Sequence, residues 1–503
     1  MADNYIKRIL EANVYDVAVE TPLSPAPFLT QRLGNDILIK REDEQPVYSF
    51  KCRGAYNCIS KKSPEQLANG VVTASAGNHA QGVALSAQKL GIKATIVMPR
   101  TTPEIKVASC KARGGKVVLH GDTFDEAFAH SQKLVEEKGM TYIHPYDDPD
   151  VIAGQGTIAM EMLRQHTGDV HAIFVPVGGG GIAAGVAAYV KYLRPEIKVI
   201  AVESTESACL AAAMKAGRRV TLPHVGIFAD GVAVAQIGKH TWQVCKDHID
   251  EVITVTPDEL CAAIKDIFDD TRSVAEPAGA LGVAGLKKYV ERTGIQGKTL
   301  MAIESGANMN FDRLRYVSEM AEVGEGREVL MAVTIPEKPG SFQTFCNILG
   351  RRPITEFNYR YGKDDQAQIY VGVKVADGGK PELLAELKAK GYAVVDLSEN
   401  EISKYHIRHM VGGHAPASVA DEIVYRFEFP ERPGALLAFL KTLGKRWNIS
   451  MFHYRNHGAA NGRVLVALQV PSKEKKDLKS YLEEVAYPFW EETDNPAYQL
   501  FLK

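Results

Sequence analysis

The sequence predicts an α/β domain on a mainly parallel sheet, followed by a pair of smaller α+β domains. Three observations carry this reading. Short Val/Ile-rich runs alternate with helical stretches up to about residue 320. The texture changes after Arg327, and a motif in residues 329–342 then returns near residue 430. Alternating strands and helices are the pattern of a parallel sheet covered on its faces.

The elements can be placed in order. Ile6, Ile9, Leu10 and Val14 recur at helical spacing near the N-terminus. GVVTAS (70–75) reads as a strand and precedes a helical run from Asn78 to Leu90. ATIVMP (94–99) precedes TPEIKVASCKARG, and KVVLHG (116–121) precedes TFDEAFAHSQKLVEEKG. HAIFVPV (171–177) precedes IAAGVAAYVKYL, and KVIAVES (198–204) precedes an Ala-rich helix. KTLMAIESG (298–306) supplies a late strand.

In the C-terminal part, VLMAVTIPEKPGSF (329–342) is echoed by IVYRFEFPERPGAL (423–436). Phe357-Asn-Tyr-Arg360 is echoed by Phe452-His-Tyr-Arg455. The copies lie 94 residues apart at the Pro-x-x-Pro-Gly signature and 95 at the second pair. Each copy continues with a strand (QIYVGVKV; RVLVALQV), a charged helix and a last strand. That order, β-α-β-β-α-β, is ferredoxin-like. The intervening segment 402–413 reads as helical at its start. The expected division is 1–322, 327–400, a linking segment 401–421, and 422–503.

Composition bounds the function. The 503 residues suit about three folding units at roughly 100–200 residues each. A formal charge of −2 offers no electrostatic footprint for nucleic acid or an anionic membrane. The seven cysteines form no C-x-x-C pair, a pattern of reduced thiols in a cytosol rather than of a disulfide framework or a structural zinc site. The uncharged stretch 172–190 is long enough to suggest a membrane span, but Pro176 and five glycines break it into strand, loop and helix. Asp3, Glu11, Asp16 and Glu20 argue against a transit peptide. The expectation is a cytoplasmic protein; a structural cation stays an open alternative, and Glu203, a candidate ligand, is read instead as a strand-end carboxylate.

Four segments carry chemistry. Lys51 in YSFKCRGAYN has small or apolar flanks. It is either a solvated charge or a Schiff-base lysine, which needs a partly desolvated site to lose its proton. TASAGNHAQG (73–82) ends a strand and opens a helix. Ser75, Gly77 and Asn78 either present backbone amides to an anion or simply cap the helix, and His79 reads as a packing residue. Gly178, Gly179, Gly180 and Gly181, followed by Ile182, lie between an apolar strand and an Ala-rich helix, where amides without Cβ atoms can close around a phosphate. The loop is not G-x-x-x-x-G-K-[ST], so it is no triphosphatase motif. In IESGANMNF (303–311), Ser305 places a hydroxyl at a strand end.

Together these segments resemble the fold-type II pyridoxal-phosphate enzymes (tryptophan synthase β-like), most closely the biosynthetic threonine deaminases. KREDEQPVYSFKCRGAYN resembles the family's cofactor-lysine segment, SAGNHAQG its Asn-containing loop, GGGGI its phosphate cradle and ESGAN its pyridine-nitrogen segment. Glu44 and Ile182 depart from the family, which has leucine at both places. The resemblance implies pyridoxal 5'-phosphate held on Lys51, which also acts as general base. It implies Asn78 on the phenolic oxygen, residues 178–182 on the phosphate and Ser305 at the pyridine nitrogen. The Ser75, Gly77 and His79 loop would take the substrate carboxylate. The implied reaction is dehydrative deamination of L-threonine, with L-serine also processed, to the 2-oxo acid and ammonia. The C-terminal pair resembles the family's ACT-like regulatory domains, implying isoleucine as inhibitor, valine as its opponent and a homotetramer. An effector site is expected at each Pro-Gly helix start, near Gly340 and Gly434. Serine dehydratases, racemases, cysteine-synthase-like enzymes and a catalytically dead amino-acid sensor are the alternatives.

Overall fold

The structure, a computed structural model, describes residues 2–324, 326–336, 344–345, 348–350, 352, 354–359, 366–376, 378–409, 421–430, 447–455, 461–484 and 487–503. The chain separates into two compact units, Met1–Phe311 and Asp312–Lys503. The division falls ahead of the residue 322 expected from sequence. Helix Arg313–Gly324 packs within the second unit: its Tyr316 stacks on Tyr405 at 5.8 Å, with the two hydroxyls 2.6 Å apart.

The first unit holds two sheets where the sequence suggested one. Its strands are β1 (Leu23–Pro25), β2 (Asp36–Arg41), β3 (Val71–Ala74), β4 (Ala94–Met98), β5 (Lys116–Leu119), β6 (Thr141–Tyr142), β7 (Ala172–Pro176), β8 (Lys198–Ser204), β9 (Glu251–Val255) and β10 (Thr299–Glu304). A six-stranded sheet runs β1-β2-β10-β7-β8-β9, and a four-stranded one β5-β4-β3-β6. Only the β1–β2 pair is antiparallel. The central strands β4 and β7 are buried at every residue, which is why ATIVM and AIFVP read as continuous apolar runs rather than alternating ones.

Helix ends follow local chemistry. Thr123 and Glu126 form a reciprocal capping box for helix Phe124–Lys138, as Thr256 and Glu259 do for Pro257–Thr271. Helix Asn78–Leu90 matches its predicted span. The uncharged stretch 172–190 resolves into β7, the glycine loop and helix Gly181–Leu193. Among the described residues no helix is long and apolar enough to cross a membrane, and six cysteines are buried and form no disulfide.

Between helix Lys51–Ser60 and its neighbours lies a fully buried charge network. Arg53 donates to both oxygens of Glu42 (2.7 and 2.8 Å), both of Glu161 (2.5 and 2.8 Å) and the Thr157 hydroxyl (3.1 Å). Lys40 adds a 2.6 Å bond to Glu161, and Thr21 donates to Glu42 at 2.6 Å. Two cations thus balance two carboxylates. Burial pushes the Glu42 carboxyl up, but Arg53 and Lys40 outweigh it and hold the group below the ordinary carboxylate range.

The second unit repeats one fold. β11 (Glu328–Pro336), β12 (Ile354–Tyr359), β13 (Gln366–Lys374) and β14 (Ala393–Asp396) form a sheet in the order β12-β13-β11-β14. β15 (Glu422–Pro430), β16 (Asn448–Arg455), β17 (Asn461–Gln469) and β18 (Phe489–Glu491) repeat it as β16-β17-β15-β18. Within each copy this is strand order 2-3-1-4, the ferredoxin-like arrangement. A register shift recurs at Ile354/Glu356 and Ile449/Met451. Helices Lys380–Ala389 and Lys475–Glu484 are the second helices of the copies. The linking segment does begin as a helix, Glu401–Tyr405, but residues 410–413 and the two Pro-Gly starts at Gly340 and Gly434 lie outside the described residues.

Alternation explains how the copies pack. Val329, Met331, Val333 and Ile335 face the first copy's own helices. Leu330 and Ala332 point the other way, into a core shared with Val424, Leu465 and Ala467 of the second copy. Both faces of β11 and β15 are therefore covered.

Replacing Arg53 by Met should strand Glu42 and Glu161 with a single buried cation. Losing one partner of such a network costs about 3–5 kcal/mol. Calorimetric unfolding of cofactor-free Arg53→Met should show that loss, and an unchanged melting temperature would refute the structural weight placed on the network.

Candidate active site

Strands β3, β7 and β10 end at one cavity of about 600 Å³, outside the carboxyl ends of both parallel sheets. All eleven residues singled out from sequence line it: Lys51, Ser75, Gly77, Asn78, His79, Gly178, Gly179, Gly180, Gly181, Ile182 and Ser305.

Lys51 is the first residue of helix Lys51–Ser60. The loop before it is zipped to the segment after β10. Phe50 donates its amide to Ser305 O (3.3 Å), Ala307 donates to Tyr48 O (2.9 Å), and Ser49 bridges Gly306. Tyr48 takes a left-handed φ of 53° to make the turn. This zipper sets the lysine and the serine on the same cavity although they are 254 positions apart. Nζ of Lys51 donates to Pro145 O at 3.1 Å. Desolvation inside the cavity pushes its pKa down to about 8, and the Glu276 carboxylate pulls in the opposite direction.

The glycine loop is shaped by what packs behind it. A Cβ on Gly178 would lie 2.8 Å from Val232 Cα, and one on Gly179 would enter the Tyr146 ring at 2.3 Å. Gly180 has φ +90° and caps helix Gly181–Leu193. The loop's carbonyls are turned outward: Gly178 O accepts from Cys209 Sγ (3.3 Å), Gly179 O from Thr241 Oγ1 (2.7 Å), and Gly180 O from Ala184 N (2.9 Å). In a trans peptide the following N–H points opposite to the carbonyl. The amides of Gly179, Gly180 and Gly181 therefore face away from those donors, at a helix N-terminus suited to an anion.

At the Asn-containing loop, Gly77 N donates to Ser75 Oγ at 3.3 Å, and Asn78 opens helix Asn78–Leu90. His79 is buried, with Nε2 3.0 Å from the Ile143 carbonyl. The carbonyl can only accept, so Nε2 carries the proton and Nδ1 is a bare acceptor. Burial first, then the charge of Lys51, pushes the ring's pKa down to about 3. His79 is thus a buried, neutral ring that brings no positive charge to a carboxylate. Ser305 Oγ is buried and donates to Ala278 O across a long 3.3 Å.

Several participants carried no readable signal. Glu276, 4% exposed, accepts from Asn78 Nδ2 at 2.5 Å. Asn308 donates to Asn78 Oδ1 at 2.7 Å; it lies within the ESGAN motif, which drew attention only to Ser305. Asp147 caps helix Lys239–His248 through the amides of Lys239, His240 and Thr241, and so places the Thr241 hydroxyl on the glycine loop. Glu203 accepts from the amides of Leu210 (2.7 Å) and Ala211 (2.8 Å) at the start of helix Cys209–Ala216. Among the described residues no cluster of three or more His, Cys, Asp or Glu could hold a metal.

Known proteins share this organisation. A family profile described as "Pyridoxal-phosphate dependent enzyme" matches residues 14–306, and one described as "C-terminal regulatory domain of Threonine dehydratase" matches 319–407 and 413–502. The chain is 56% identical over 503 residues to the biosynthetic L-threonine dehydratase IlvA of Burkholderia multivorans, covering 99% of each protein. It is 54% identical over 502 residues to that of Escherichia coli, covering 99% of this chain and 97% of the relative. Among solved structures, the processed form of threonine deaminase isoform 2 from Solanum lycopersicum is 51% identical with a TM-score of 0.63, covering 64% of this chain and 93% of that one. Maize serine racemase, at 32% identity and a TM-score of 0.59, covers 63% of this chain and 96% of its own. A single cavity shaped by a desolvated lysine and a glycine loop, followed by a doubled regulatory module and matched end to end by such relatives, places this chain in the biosynthetic threonine dehydratase family of pyridoxal-phosphate-dependent enzymes.

Proposed function

We propose that the chain catalyses the dehydrative deamination of L-threonine to 2-oxobutanoate and ammonia, the first committed step of isoleucine biosynthesis, under feedback control by isoleucine. The observation that carries the reading is the placement of the Lys51 amine in the same cavity as the outward-turned glycine loop and the neutral Ser305 hydroxyl.

The cavity fits pyridoxal 5'-phosphate. Residues 178–182 would offer their amides to its phosphate, Asn78 an N–H to its phenolic oxygen, and Ser305 Oγ a partner for its ring nitrogen; Lys51 would hold it covalently. The bound cofactor supplies the electron sink that acidifies the substrate's α-C–H. Ser305 brings no charge to the ring nitrogen, and its long bond to Ala278 O leaves the hydroxyl free to turn inward. A neutral partner would leave the bound group a weaker electron sink than a charged one would.

Lys51 does the proton work. With a pKa near 8, roughly a tenth of the amine is neutral at pH 7, against well under a thousandth for an ordinary lysine. Released from the cofactor, Nζ takes the α-proton. The first-turn amides of helix Asn78–Leu90 lack intrahelical acceptors and receive the substrate carboxylate, with Ser75 and Gly77 shaping the approach. His79 supports that loop as a neutral ring. One methyl separates threonine from serine, worth only about 1–3 kcal/mol, so both are substrates.

The regulatory reading rests on the duplication. Two like-folded copies sharing one core supply a pair of related sites for isoleucine as inhibitor and valine as its opponent. An effector acts only by binding two states unequally. We place the catalytic domain at 1–322, its compact body ending at Phe311 and helix Arg313–Gly324 serving as its connection to the regulatory copies at 327–400 and 422–503, which 401–421 joins. The working enzyme is a cytoplasmic homotetramer.

Lys51→Ala should abolish 2-oxo acid formation from threonine; full activity in that variant would sink the assignment. Covalent uptake of pyridoxal phosphate by the cofactor-free protein needs the neutral amine, so its rate should rise with pH to a midpoint near 8. A midpoint close to that of free lysine would contradict a desolvated Lys51. Isoleucine should suppress turnover of threonine. Undiminished turnover would keep the lyase and remove the effector role, while isoleucine binding without any turnover would mark a sensor.

A further inference from the structure

Asn78 carries two kinds of atom on one side-chain amide, a donor and an acceptor, and its orientation decides which one the cavity meets. The contacts around it settle that choice. Asn308 sits with one amide atom 2.8 Å from the Val47 carbonyl and 2.7 Å from the Asn78 amide. A backbone carbonyl can only accept, so that atom of Asn308 is the NH2 group. The Asn78 atom facing it must then be the acceptor Oδ1, which leaves Nδ2 on the other side. There Nδ2 meets the Glu276 carboxylate at 2.5 Å, again an acceptor. One N–H of Nδ2 is used on Glu276, and the second remains for the cavity that Asn78 lines.

We propose that Asn308, anchored by the Val47 carbonyl, is a positioning residue that fixes the polarity of the Asn78 amide, with Glu276 closing the relay, so that a donor and not an acceptor faces the phenolic oxygen of the cofactor. The proposal rests on the reading of Asn78 given above. Val47 lies four residues before Lys51 and Asn308 three after Ser305. The relay therefore ties the orientation of a third cofactor contact to the two loops that carry the first and last. Asn78 and Glu276 are 8% and 4% exposed, so water does not readily replace either partner.

A double-mutant cycle on the full chain tests this. Each protein is stripped of cofactor and titrated with pyridoxal phosphate, reading affinity from the visible absorbance of the bound cofactor and then the pH midpoint of that band. Asn308→Ala should weaken cofactor affinity roughly three- to tenfold, the worth of one neutral hydrogen bond. It should also move the midpoint upward, because an oxygen that loses a donor holds a proton more tightly. Asn78→Ala should do at least as much, and adding Asn308→Ala to it should change neither readout further. Losses that simply add, or an Asn308→Ala protein with native affinity and midpoint, would overturn the proposal. Native behaviour of Asn78→Ala would instead overturn the reading of Asn78 itself. If Asn308→Ala does not fold, Asn308→Ser takes its place in the same cycle with the same expectations.

Discussion

The buried guanidinium of Arg53 is the constraint on which the active site depends. It lies two residues after Lys51 on the same helix and is pinned by two carboxylates from different parts of the chain, Glu42 and Glu161. A buried ion network of this kind contributes little net stability compared with a well-packed apolar core, because desolvation offsets the attraction. Its value is directional. Arg53 presents a rigid fork whose donors must each meet an oxygen, so the helix cannot rotate or slide without leaving a buried charge bare. Lys51 inherits that fixed orientation; its amine donates to the Pro145 carbonyl and lies 5.2 Å from the centroid of the Phe50 ring.

Close backbone approach is the second constraint. The glycine loop is bounded behind by Val232, Tyr146 and Thr241, and Gly279 lets its helix approach Gly306 so closely that a Cβ would fall 2.1 Å from the Gly306 carbonyl. These contacts turn carbonyls outward and leave amides facing the cavity. The same economy of side chains brings the strand-end loops after β7 and β10 near enough to act on one ligand. Positive charge near the cavity comes from amide dipoles and from Lys51, Lys106 and Arg219 in its lining, and the adjacent His79 ring is kept neutral by burial.

In the C-terminal unit the physics is that of sheets with two covered faces. Each copy buries one set of alternate residues under its own helices and the other set against its twin. The shared core packs the two copies against one common layer, so a change of shape in either would have to repack it. At its margin Arg463 lies over the Tyr405 ring at 3.9 Å and donates to Glu428 at 3.1 Å, joining the segment between the copies to the second sheet.

Sequence by itself determined the alternation of strands and helices, the duplication, and eleven of the residues that line the cavity. Those are properties of local periodicity and of motifs whose chemistry is legible at short range: a strand-end Ser-Gly, a run of glycines, a lysine among small residues. The division into two sheets was not legible, because β4 and β7 are equally apolar and only pairing decides which sheet each joins. Glu276, Asn308, Asp147 and Thr241 were equally silent; an isolated polar residue acquires a role only when folding sets a partner beside it. The placement of helix Arg313–Gly324 in the second unit came from contacts distant in sequence, among them the stack of Tyr316 on Tyr405, which lie 89 positions apart, and the bond from Arg408 to Glu319 O. The protonation of Lys51 and His79 was decided by the tertiary structure alone, since desolvation belongs to the cavity and not to the residue.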